Sequence, residues 1–417
     1  MWDVPCARDT SCDLTAGAPR RRDDPPHPAD LMPFLLVLGL AAFASAFSMR
    51  AVDPMLNILA ADLKVTLQEV ALLASAFTLP YATMQLLFGP IGDAVGKVRL
   101  IRFNLAMLAV GLAVSALVPG HRELLAARVV SGAFAGGIIP VVLATVGDRV
   151  PYDQRPVALS RVLLALVLGQ LVGSAAAGFI AEYAGWRPVF WCAFAVAASA
   201  ALAALVGISE ERARQPLSFR AALARYGTVL KNPLSLKVYA VVAVEGALTF
   251  GVFPLAAPLM VEHGLGDAVE AGLMLGAFAI GGAFYTFAVP VLVRHLGLAG
   301  MVGVGAASVG VLLMGAAVGP SLAVVIAVFA AAGFAFYMIH NVLQILATEL
   351  SAEARGSAVS LFASAFFVGQ AVGAIVLAHA AGLLGAAPVF AVAGLGMLIL
   401  AVPASLLPPR KAKVTTG

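Results

Sequence analysis

Charge is scarce in this chain. Of its 417 residues 12% are Asp, Glu, Lys or Arg, whereas 61% are hydrophobic. A soluble domain of this size could not cover its surface with polar groups on that allowance, so a water-soluble protein is excluded. Cysteine is scarcer still. Cys6 and Cys12 sit in a polar stretch with no partner at metal-ligand spacing, and Cys192 lies in an apolar run. Neither a disulfide framework nor a zinc site is implied, and no metal is expected. A phosphate-cradling loop, an ATP-binding segment and a nucleophile with a nearby base are all missing, which argues against an enzyme and against an ATPase. No cofactor is expected, and any uphill work must draw on a gradient, for which protons are the expected ion. The net charge of +4 is no nucleic-acid signal. Before Leu31 there is no apolar core of the kind a signal peptide needs. Residues 1–30, with Arg20, Arg21, Arg22 and five prolines, read as a disordered cytoplasmic tail.

What the chain has instead is apolar runs, each long enough to cross the roughly 30 Å of a bilayer's hydrocarbon. Their limits predict helical spans at 31–60, 69–91, 98–118, 123–147, 158–182 and 187–207, then at 238–261, 268–293, 298–318, 321–347, 357–382 and 386–407. Two six-helix bundles follow, 31–207 and 238–407. They are joined by a polar linker, 208–237, with a surface helix around Phe219–Leu230, and followed by a tail, 408–417. The 41 glycines suit helices that pack closely where no hydrophobic effect drives them together. With both termini on one side, that side carries 21 of the 26 basic residues; Lys64, Arg122 and Arg187 fall on the other, and Arg50 and Arg128 within spans. This bias places both termini in the cytoplasm. The Ala-rich, Arg-over-Lys composition suits a bacterial inner membrane.

The chain also repeats itself. Shifted by 200 residues, 155–190 falls on 355–390 with 13 of 36 positions identical and no gap. Gly169, Gln170 and Gly173 meet Gly369, Gln370 and Gly373; Gly185, Pro188 and Phe190 meet Gly385, Pro388 and Phe390. Internal duplication in a membrane chain points to two similar bundles with a site between them. The charged positions do not repeat: opposite Arg128 stands Val328, and opposite Asp53 stands Phe253.

The loop after the second span reads Gly89-Pro90-Ile91-Gly92-Asp93-Ala94-Val95-Gly96-Lys97-Val98-Arg99. Gly89 and Gly96 permit close helix approach and a sharp turn. Asp93 can accept from a neighbouring helix N-terminus or a cation, a breakable contact that would make a gate. The competing reading is an ordinary basic turn. Gly89, Asp93, Gly96, Lys97 and Arg99 resemble the loop motif of the major facilitator superfamily, G-x-x-x-D-x-x-G-[RK]-x-[RK], which implies a twelve-span transporter with this loop in a gating role. The family usually has Arg where this chain has Ala94, and the matching loop of the second half has Arg294 in the place of Asp93. Arg128, six residues into span four, resembles the family's span-four arginine, linked there to proton transfer; alternatively it snorkels to the interface. In span five, Gly169, Gly173 and Gly178 resemble the antiporter motif G-x-x-x-G-P-x-x-G-G, with Ser174 in place of its proline and Ala177 in place of a glycine. Small residues for helix packing explain them equally.

Three polar clusters complete the reading. In span one Arg50, Asp53 and Asn57 share a helical face, beside Pro54. They are either a self-satisfied ion pair or part of a cavity. Span seven carries a lone acid, Glu245, costly against lipid. In span ten Tyr337, His340, Asn341 and Gln344 form one stripe, with His340 able to titrate near neutrality or to serve as a hydrogen-bonded structural group. Tyr81, Gln85, Tyr285, Gln170 and Gln370 are lesser candidates. The clusters fall on spans one, four, seven and ten, the cavity-lining helices of the family. The resemblance implies a monomer in the lipid bilayer that moves a small-molecule substrate by alternating access. It favours proton-coupled efflux, with Asp53, Arg128, Glu245 and His340 in coupling. A proton-coupled importer of a small metabolite and a non-transporting membrane sensor are the alternatives.

Overall fold

A computed structural model describes residues 28–151, 154–209 and 218–408; the expected tails and part of the linker lie outside these. Among the described residues all regular structure is helical. Eleven runs are long and apolar enough to cross a membrane. Spans one to seven are Leu31–Leu63, Leu67–Val95, Lys97–Leu117, His121–Arg149, Arg155–Ala184, Trp186–Gly207 and Pro233–Glu262. The next run, Ala268–Ala317, is twice the usual length. It breaks at Gly297, whose φ of 64° a residue with a side chain would rarely adopt. It is therefore two spans, eight and nine, which brings the count to twelve. Leu322–Glu349, Arg355–Leu384 and Ala386–Ser405 are spans ten to twelve.

The duplication governs how the spans break and pack. Pro54 and Pro254 are repeat mates. Each lacks the N–H that would continue the helix, and each sits in a 3-10 turn, Asp53–Met55 in span one and Phe253–Leu255 in span seven. The two breaks touch. Gly169 and Gly173 seat span five on the backbone of Phe43 and Phe47 in span one; Gly369 and Gly373 seat span eleven on Ala243 and Ala247 in span seven, 200 positions on. A Cβ at any of the four would strike a main-chain carbonyl. Asp62 accepts from Trp186 Nε1 (2.7 Å) and Arg187 Nη1 (3.2 Å), fastening the start of span six. Its mate Glu262 accepts from the backbone N–H of Ala386 (2.5 Å) and Ala387 (2.9 Å) at the start of span twelve.

The halves meet mainly where spans five and eight, and two and eleven, pack together. Gly178 lies on the backbone of Ala268, and Gly272 on that of Ser174. Ser75 Oγ donates to the Ala371 carbonyl at 2.8 Å, and the ring of Tyr81 meets Phe367 at 4.7 Å. These contacts lie toward the end of the bundle opposite the 89–99 loop. At the loop end runs the linker helix Phe219–Leu230. Tyr226 Oη donates to the Leu86 carbonyl at 2.8 Å. That carbonyl's helical partner would be residue 90, a proline with no N–H, so the linker satisfies an acceptor that span two leaves free. Burial there raises the Tyr226 phenol above its ordinary pKa.

Candidate functional site

In the first half three charges are buried around the span-one break. Arg50 ends the first helical segment and Asp53 opens the 3-10 turn, so the i,i+3 spacing brings Arg50 Nη1 to 3.3 Å from Asp53 Oδ2. Each residue is 3% exposed. Arg128 is fully buried. It donates from Nη1 to the Ser48 carbonyl (3.1 Å) and from Nε to the Leu73 carbonyl (3.3 Å). Its guanidinium stands 4.2 Å from the Phe77 ring centroid, and Asp53 interacts with it electrostatically. The snorkelling alternative is thereby excluded: Arg128 holds spans one and two from inside the bundle. A buried charge of this kind persists only when paired and hydrogen-bonded, yet Arg128 Nη2 and Arg50 Nε have no partner.

The second half is built differently. Glu245 is fully buried; its Oε2 is 3.2 Å from His340 Nδ1, while its Oε1 is unpartnered. The imidazole is enclosed by Phe336 (4.9 Å), Phe362 (5.1 Å) and Phe366 (4.7 Å between ring centroids). These rings continue into Phe250, Phe253 and Phe278, with Phe250 and Phe253 only 4.5 Å apart. In the span-ten stripe Tyr337, His340 and Asn341 are partly exposed and Gln344 is exposed. Tyr337 stacks on Tyr285 at 6.2 Å. Gln85 and Gln370 are each 5% exposed, and Gln370 Oε1 is unpartnered.

Two further contacts between the halves involve the span-one cluster. The Arg50 guanidinium lies 4.5 Å from the Phe250 centroid and 5.0 Å from that of Phe253. Farther from the loop end, Asn57 Nδ2 donates to Asp267 Oδ1 at 2.8 Å. Asp267 also begins span eight in a capping box with Glu270. Burial raises the Asp267 carboxyl above its ordinary pKa, Glu182 and Glu270 add to the rise, and the Asn57 hydrogen bond opposes it. Asn57, Asp62, Pro258, Glu262 and Asp267 line a cavity of about 870 Å³ at this end. Asp267 escapes a reading by helical stripes because it lies between spans. Its D-x-x-E spacing to Glu270 is the signal that marks it.

In the loop, Gly96 makes the expected turn with φ 103°. The expectation of close approach at Gly89 is corrected: a Cβ there would meet nothing, because span two has no neighbour against that face. Asp93 pairs with Lys97 of its own loop (3.2 Å), and Lys97 reaches Asp148 at the end of span four (2.5 Å). Arg99 is exposed. Of the span-five glycines, Gly169 and Gly173 pack within one half against span one, and Gly178 stands at the junction of the halves. Among the described residues no three His, Cys, Asp or Glu side chains gather as metal ligands would.

Comparison with known proteins agrees with this architecture. The profile described as Major Facilitator Superfamily matches residues 38–353. An uncharacterized transporter, YgaY, of Escherichia coli O157:H7 is 27% identical over 229 residues, 54% of this chain and 57% of that protein. The lincomycin resistance protein LmrB of Bacillus subtilis is 26% identical over 39% of this chain and 34% of its own length. The bicyclomycin resistance protein homolog of Haemophilus influenzae is 29% identical over 38% and 40%. The chain thus spans about half the length, or less, of these curated relatives. Among solved structures, a mutant of the nucleoside transporter NupG superposes with a TM-score of 0.75 at 14% identity, covering 91% of this chain and all of that one. A bacterial homolog of the human lysosomal transporter Spinster, inward-facing and unoccupied, gives 0.68 at 16% identity, covering 92% and 96%. At these identities the structural matches speak for the fold alone.

Proposed function

This chain belongs to the Major Facilitator Superfamily, and we propose that it is a proton-coupled exporter of a small organic molecule. The observation that carries this reading is the burial of ionisable side chains on three helices, Asp53 with Arg50 on span one, Arg128 on four and Glu245 on seven, the last paired with the partly exposed His340 on ten. Isolated charges are expensive at that depth. A carboxyl that exchanges its partner, or its proton, as the halves rock relieves that cost once per cycle. One proton moving down the membrane potential supplies ~2.3 kcal/mol per 100 mV. Glu245 and His340 form the exchangeable pair in the second half; Asp53, held between two arginines, forms it in the first. Relatives named for lincomycin and bicyclomycin resistance support the outward direction.

In the orientation set by the basic residues, the 89–99 loop faces the cytoplasm of a bacterial inner membrane. The conformation is then closed to the outside by the 2–11 and 5–8 packing and by Asn57–Asp267. Asp93, here paired within its own half, exchanges Lys97 for span eleven when the cytoplasmic side closes. The protein works as a monomer, and no cofactor takes part.

The test uses everted vesicles carrying the full chain, with an internal pH dye and a panel of small organic molecules. An exporter coupled to protons dissipates a preset pH gradient when its substrate is added. No substrate-dependent proton movement with any compound sinks the reading. Proton movement in the same direction as the solute would make the chain an importer.

A further inference from the structure

The junction between the halves points to a chemical class of substrate; the inference rests on the reading above, that the transport site lies between spans one and seven. Under the duplication Arg50 corresponds to Phe250 and Asp53 to Phe253. The structure places the Arg50 guanidinium on those same two rings, 4.5 and 5.0 Å from their centroids. A flat cation from one half therefore covers an aromatic platform in the other.

We propose that the Phe250–Phe253 face is the docking face for a flat, delocalised organic monocation bearing N–H donors, an amidinium or guanidinium, and that Arg50 is its tethered stand-in. Three features support this. Arg50 is held lightly for a buried guanidinium: one contact to Asp53 engages Nη1, and Nε has no partner. Its release leaves two ring faces, whose negative quadrupole favours a cation and disfavours a carboxylate. The two rings pack against each other, 36° from parallel with centroids 4.5 Å apart, and the Arg50 guanidinium lies within cation–π distance of both. Asp53, whose Oδ2 is 3.3 Å from Arg50 Nη1, loses that donor when Arg50 leaves and supplies the acceptor that an N–H of the ligand requires.

The test is equilibrium binding to the purified full chain in detergent. The probes are 4-aminobenzamidine, followed by its fluorescence, and two isosteres, neutral 4-aminobenzamide and anionic 4-aminobenzoate. The cation alone is expected to bind saturably. Arg50→Gln, which removes the tethered competitor, is expected to tighten it about tenfold, and Phe253→Leu to weaken it about tenfold. If benzoate binds and Arg50→Gln abolishes its binding, Arg50 is an anion anchor and the proposal is overturned. Absence of amidine binding to wild type and Arg50→Gln alike overturns it too. Should Arg50→Gln fail to fold, the wild-type order of the three isosteres and the Phe253→Leu shift decide. Binding needs no gradient. Selective amidine binding without proton-linked transport would refute only the export reading, and the reverse result would refute only this one.

Discussion

Positions 50 and 53 hold an arginine and an aspartate; positions 250 and 253 hold two phenylalanines. Both pairs flank a proline turn at the same place in an otherwise repeated scaffold. One half keeps its polarity in an ion-pair network tied to backbone carbonyls. The other keeps it in one acid–imidazole pair enclosed by rings. The first arrangement spreads its charges over contacts to spans one and two; the second encloses a single pair in an apolar setting. The acids make the same distinction. Asp62 and Glu262 repeat and do the same job twice, fastening the next-but-four span. Asp53 and Glu245 have no counterpart and fasten no helix end.

The largest expected effect comes from Arg128→Ala. It strips a donor from the Ser48 and Leu73 carbonyls and leaves Asp53 with Arg50 alone. Breaking a buried charged network costs about 3–5 kcal/mol, so thermal unfolding in detergent should fall steeply and transport should vanish. An unchanged melting temperature would mean that Arg128 is not structural support for the first half. Glu245→Gln should preserve folding and gradient-free exchange of substrate while cutting pH-driven transport about tenfold or more. Full pH-driven transport in this variant would move the coupling role to Asp53.

A matched pair sharpens the comparison. Gly173→Val and Gly373→Val each force a side chain against a carbonyl, of Phe47 and of Ala247. Overpacking of this kind costs about 1–3 kcal/mol, and the two variants should lose stability equally. Unequal losses would show that the halves differ in scaffold as well as in chemistry. Asn57→Ala removes the hydrogen bond to Asp267, worth about 1 kcal/mol, and should speed labelling of a cysteine placed on the cavity wall at Pro258, which is buried in this conformation.

The smallest effect is a pH dependence of that labelling. Burial raises the Asp267 carboxyl, helped by Glu182 and Glu270. The closed form thus binds a proton more tightly than an open form in which the group meets water. Closure should therefore be favoured in acid, fully so below the ordinary carboxylate pKa, and the gain should fade as pH rises through the raised value. Asp267→Asn should abolish the dependence. Labelling of that variant with the wild-type pH profile would assign the effect elsewhere.

Much of this was legible in the sequence. The twelve spans follow from hydropathy, and the split at Gly297 from a glycine between two apolar runs. The polar stripes of spans one, four, seven and ten pointed to Asp53, Arg128, Glu245 and His340 because charge in an apolar span has few bland explanations. Pairing was not legible. Glu245 and His340 are 95 positions apart, and Asn57 and Asp267 are 210 apart, so only the fold brings them together. The phenylalanine cluster was hidden for the opposite reason: in a chain this apolar, aromatic residues at helical spacing read as core. Gly89 misled because its motif describes a contact that this conformation does not make.

The linker has a consequence for how the halves are coupled. Arg149 Nη2 donates to the Ser209 carbonyl at 2.5 Å, and Tyr226 to that of Leu86; both ties are to the first half. Asn232 Nδ2 donates to the Leu350 carbonyl at 3.0 Å, in the second. Between Tyr226 and Asn232 the chain thus passes from an anchor in the first half to one in the second. In terms of length, a long connection is fastened down to a short one. Residues inserted between Tyr226 and Asn232 would change the distance over which one half can pull on the other.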